Sequence, residues 1–179
     1  MKRDVRRARK LGPALAPVCV QPCPDYESAV GCHWSCGAAA QRLSSDPASP
    51  LEPAIVPLAF ELKRLGVFCP CWSCEGHNDA EGHLIKLPRV WFYAQSVVHV
   101  RALAETIDRL SAGKRLSIPW RVVVTYSDPD NPDTTFSLEP ERTIASEQLT
   151  ALQDDARRIA ESLDPAFWLA CGRLRRLAQ

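Results

Sequence analysis

No stretch of this chain approaches the roughly 20 consecutive apolar residues that span a bilayer, so no membrane-spanning helix and no membrane partner are expected. A secretory leader of ordinary form is also missing. Behind the basic N-terminus, Leu11-Gly12-Pro13-Ala14-Leu15-Ala16-Pro17-Val18 is too short and too broken by proline to serve as one. The expected compartment is therefore cytoplasmic. Glycine is scarce, eight residues against fifteen prolines, which favours stiff loops and extended segments. Net charge is nearly absent at +1, yet the balance hides an asymmetry. Lys2, Arg3, Arg6, Arg7, Arg9 and Lys10 against Asp4 give residues 1–10 a charge of +5, and the rest of the chain carries −4. Such an arm either contacts nucleic acid or acidic lipid, or is simply a solvated tail.

What is present is an ordinary globular composition over 179 residues, 46% hydrophobic and 24% charged, enough for one domain with extensions. Residues 1–17 read as a disordered basic and Pro/Ala lead. Residues 18–50 read as a cysteine-rich segment without periodicity, which must dock or be tied by a ligand. From 51 to 179 the elements are clearer. Ile55, Leu58, Leu62 and Leu65 recur at helical spacing. Ser49-Pro50-Leu51-Glu52 looks like a capping box, although Pro53 and Pro57 move the helix start toward Pro57, and Gly66 ends it. Residues 67–73 and Arg89–Ala94 read as strands, the second buried on both faces.

Val100, Leu103, Ile107 and Leu110 mark a helix capped by Ser96, with Gly113 past its end. Two alternating segments around Trp120–Tyr126 and Thr134–Leu138 follow, joined by a proline–aspartate turn. The C-terminal stretch reads as two helices, with Asp164-Pro165 restarting the second. This order predicts an α+β two-layer sandwich. Its sheet would be mostly antiparallel and four-stranded, covered by helices, with a ferredoxin-like layout as the nearest arrangement.

Chemistry concentrates in the eight cysteines. In a reducing compartment they are not expected to be disulfides, and clustering points to metal or catalysis. The tripeptide Trp-Ser-Cys occurs twice, in Gly31-Cys32-His33-Trp34-Ser35-Cys36 and in Cys69-Pro70-Cys71-Trp72-Ser73-Cys74-Glu75-Gly76-His77. Cys71 and Cys74, separated by two residues, have the spacing of a zinc half-site, and Gly76 would let His77 fold back toward them. Pairing these with Cys32 and Cys36 would make a split structural zinc site that ties down the aperiodic segment. Trp34 and Trp72 would shield the ion. Cys19 and Cys23 repeat the four-residue step behind them.

The same atoms admit other roles. Cys71-Trp72-Ser73-Cys74 matches a redox dithiol, and His77 could serve as base to a Cys74 nucleophile, with Glu75 or Glu81 orienting it. The bland alternative is that the thiols only pack, which suits Cys171 best. His83 is a spare ligand candidate, and His99 a capping or surface histidine. Trp91 and Trp120 are expected in the core. The segment Trp72-Ser73-Cys74-Glu75-Gly76-His77 also resembles one in small bacterial proteins without a characterised activity. That resemblance runs from the first helix to the last strand and implies no reaction. The function expected is thus a small zinc-binding module that binds or scaffolds a protein or small-molecule partner. A cysteine-dependent enzyme or thiol redox protein built on Cys74 and His77 is the alternative.

Overall fold

A computed structural model describes residues 33–35, 43, 51–125, 134–141 and 149–177. The basic lead, most of the cysteine-rich segment with Cys19, Cys23, Cys32 and Cys36, and the proline–aspartate turn lie outside these residues.

The expected α+β architecture is what forms. In chain order the elements are α1 (Val56–Arg64), β1 (Phe68–Cys74), β2 (His77–Asn78), β3 (Leu84–Lys86), β4 (Arg89–Ala94), α2 (Val97–Ala112), β5 (Trp120–Thr125), β6 (Thr135–Pro140) and α3 (Leu149–Leu177). One antiparallel sheet has the order β1-β4-β6-β5, and β2 pairs with β3 in a separate two-stranded ribbon. Because β6 is antiparallel to both β4 and β5, the unit β4-α2-β5 is a split βαβ with β6 inserted between its strands. The helices share one layer: α3 packs against both α1 and α2.

Side-chain alternation decides which sheet face they cover. Val90 and Phe92 on β4, Leu138 on β6 and Phe68 on β1 point into the core. There Phe68 meets Phe92 and Phe167 edge to face, with centroids 5.2 and 5.4 Å apart. The alternate residues of β4, Trp91 and Tyr93, are only half-buried. β4 is therefore not buried on both faces as its bulky run suggested. Trp120 is core as expected, whereas Trp91 lies on the sheet's other face against Trp72, centroids 4.8 Å apart.

Helix ends follow local chemistry. Ser96 caps α2 by accepting the Val98 N–H, and Gly113 closes it. α1 begins at Val56 with Pro57 in its first turn, and its N-cap, Ile55, has no side-chain cap. Pro165 does not divide the last helix, which runs unbroken from Leu149 to Leu177. An interior proline costs about 3 kcal/mol. The apolar stripe of Leu152, Ala156, Ile159 and Leu163 continues through Phe167 and Ala170, and its burial outweighs that cost.

The connection from α2 to β5 is fixed from α3. Asp155 is wholly buried, and its carboxylate accepts from the Ser117 N–H at 2.9 and 2.8 Å, the Ile118 N–H at 3.3 Å and Arg158 at 3.0 Å. Asp155→Ala takes the acceptor from two backbone donors, that of Ile118 buried and that of Ser117 partly so, each worth about 1–3 kcal/mol when left unpaired. Denaturant unfolding should show a loss of about 3 kcal/mol, larger than that of Asp154→Ala on the exposed face one residue away.

Candidate metal centre

At the open end of β1 the chain makes the turn that carries most of the chemistry. Cys74 ends the strand, Glu75 and Gly76 turn, and His77 opens the β2–β3 ribbon. Gly76 sits at φ +85°, a conformation that L side chains rarely adopt. A Cβ there would meet the Leu149 side chain at 2.6 Å, Pro88 at 2.9 Å and the Lys86 carbonyl at 3.0 Å. Only glycine lets the turn close against the start of α3.

Two glutamates lock this turn to the segment before α1. The Glu75 N–H donates to Glu52 Oε2 at 2.7 Å, and the Ala54 N–H donates to Glu75 Oε2 at 2.8 Å. Gln153 on α3 donates to the Glu75 carbonyl at 3.2 Å. Glu52 is thus not engaged as the glutamate of a capping box, and Glu75 is not free to orient a histidine. Instead Glu52 Oε1 lies 2.9 Å from His77 Nε2, and Glu52 supplies the carboxylate that the sequence suggested for Glu75 or Glu81.

Cys74 completes the group. One donor atom each from Glu52, Cys74 and His77 lies within 4.8 Å of the others. The cysteine is only 4% exposed, whereas the side chains of Glu52 and His77 are 37% and 39% exposed. The Gly76 N–H points at Cys74 Sγ, 3.4 Å away. Burial pushes the Cys74 thiol up from the ordinary range. The Glu52 carboxylate adds to this by repulsion and by accepting the thiol hydrogen, while the Gly76 N–H and Lys86 oppose it.

The other expected ligands fall elsewhere. Cys71 does not converge with Cys74: both lie in one extended strand, and three residues of strand span about 10 Å. A zinc half-site with this spacing needs a tight turn, and β1 supplies a bulge between Pro70 and Trp72 instead, leaving Cys71 exposed. Cys69 is also exposed. Trp72 packs against Trp91, its ring tilted by 47°. His83 lies on the ribbon's turn, where Asp79 accepts both its backbone N–H and its ring nitrogen, at 2.7 and 3.2 Å. His99 lies over Phe167, and its buried Nδ1 has no partner among the described residues. Cys171 packs at the margin of the core, where burial pushes its thiol up to about 11. Cys32 and Cys36 are outside the described residues.

The sequence reading missed Glu52 because only tertiary contact brings it across 25 positions to His77. The ribbon was missed as well. Its signal was the turn Asp79-Ala80-Glu81-Gly82 between His77-Asn78 and Leu84-Ile85-Lys86. No protein-family model, no curated protein and no solved structure matches the chain. The resemblance of Trp72–His77 to small bacterial proteins thus stands on the sequence alone.

Two outcomes are expected. Gly76→Ala adds about 1–2 kcal/mol of left-handed backbone cost to about 1–3 kcal/mol of overpacking, so thermal unfolding should show a pronounced loss. Peptide-mapped alkylation of the native protein at neutral pH should modify Cys69 at least about tenfold faster than Cys74, since thiolate fraction and access set the rate. A Cys74 that reacted first would favour the nucleophile reading.

Proposed function

We propose that this protein is a zinc-binding module whose ion is held by Glu52, Cys74 and His77, tying the β2–β3 ribbon to the segment that leads into α1. The observation that carries this reading is the convergence of a sulfur, an imidazole nitrogen and a carboxylate oxygen within 4.8 Å. Zinc takes this mixed set at about 2.0–2.3 Å, which places tetrahedral donors roughly 3.5 Å apart. The contact from Glu52 to His77, now 2.9 Å, would open slightly, and the wider separations would close by about an ångström. The supporting groups are already in place: Glu75 N–H fixes the second Glu52 oxygen and Gly76 N–H the sulfur.

The cysteine-enzyme alternative has less support. A nucleophilic thiol needs access and a lowered pKa. Cys74 is buried with its pKa raised, and it shares its hydrogen with Glu52. His77 is turned to that same carboxylate. The role that fits the zinc reading is binding or scaffolding of a partner by a cytoplasmic protein, with zinc stiffening one corner of the sheet.

Zinc titration by calorimetry tests the proposal. About one equivalent should bind, and at a free zinc concentration of about 100 Kd the native state should gain roughly 2.7 kcal/mol. For a chain of this size that raises Tm by about 5–10 °C. Glu52→Gln, Cys74→Ser and His77→Gln should each weaken binding at least about tenfold while circular dichroism stays native. Cys71→Ser should leave binding unchanged. Undiminished affinity in all three site variants would overturn the assignment.

A further inference from the structure

Among the described residues Glu52, Cys74 and His77 give three donors, one short of the four that a tetrahedral zinc ion takes. Cys74 closes the inner side of the trio, while Glu52 and His77 keep more than a third of their side-chain surface open to solvent. The vacant vertex therefore belongs on the outer side. Lys86 stands there. It is the register partner of His77 across the ribbon, and directly opposed residues of an antiparallel pair project their side chains to the same face. Its ammonium charge is felt at the Cys74 thiol. Among the described residues Lys86 makes no ion pair.

Charge then selects the ligand. A thiolate and a carboxylate neutralise a divalent ion, histidine adds nothing when it coordinates as the neutral ring, and Lys86 adds a positive charge beside it, while the nearby Glu75 carboxylate is taken up by the Ala54 N–H. We propose, building on the zinc reading above, that the fourth position is exchangeable and takes a small oxyanion, a phosphate or carboxylate group, bridged between the ion and the Lys86 ammonium. The site would then be an anion-recognition centre, in contrast to the closed set of four protein ligands expected from the cysteine spacing. A further thiolate at that vertex would cancel the positive charge and exclude the anion.

The full-length protein loaded with cobalt(II), whose visible bands report the coordination sphere, tests this. Adding inorganic phosphate, or acetate in a parallel titration, should shift the bands saturably, and a response to either supports the proposal. Lys86→Ala should retain its cobalt content yet bind the anion about five- to tenfold more weakly, as expected for loss of one partly exposed charge-assisted contact. Bands that move with neither anion, or equal anion affinity in Lys86→Ala, would overturn the proposal and leave the zinc reading standing. Failure to take up cobalt or zinc at all would remove both.

Discussion

The Glu52 carboxylate is the group on which this corner of the molecule depends. One oxygen fixes the backbone of the turn through Glu75, the other meets His77, and the Cys74 thiol shares its hydrogen with the same carboxylate. A carboxylate so placed does two jobs. It ties the segment before α1 to the turn after β1 and to His77 at the start of β2, and on the zinc reading it lies where a cation would replace protons as the shared partner. Without a cation the polar atoms satisfy one another, so the fold does not need the ion to avoid an unpaired buried group. With one, on the zinc reading proposed above, the same geometry would become a coordination sphere.

The sheet and helices supply the rigidity. β1 is an edge strand, and its Pro70 and bulge are the devices that keep a free edge from pairing with another chain. The bulge falls at Cys71, whose thiol is exposed. At the far end of the strand Gly76 lets the chain turn against Leu149, so the start of α3 backs the site. Each residue of Trp72-Ser73-Cys74-Glu75-Gly76-His77 thus has a physical reason for its type, apart from Ser73. Trp72 packs against Trp91, Cys74 is the buried sulfur of the trio, Glu75 satisfies Ala54, Gly76 turns and His77 is its partly exposed nitrogen.

Much of the fold was legible because local signals and tertiary packing agree. The cap at Ser96, the stop at Gly113 and the apolar repeat of α2 all point to the helix that forms. Pro165 misled because a local breaker was set against a long buried stripe, and burial outweighed it. At the site, the pairing of Cys74 with His77 was visible in their spacing. Glu52 was not, since its neighbours suggested a cap and its partners are 22 and 25 positions away. Cys71 misled for a related reason: the two-residue spacing fits a zinc half-site only when the backbone turns, and here it stays extended.

The remaining cysteines give the account its sharpest rival. A split site would draw sulfur from Cys32 and Cys36, whereas among the described residues the group around Cys74 offers one sulfur. X-ray absorption at the zinc edge separates the two directly. The account predicts a single sulfur at about 2.3 Å with nitrogen and oxygen neighbours at about 2.0–2.2 Å. A shell made wholly of sulfur, or one with no sulfur at all, would contradict it.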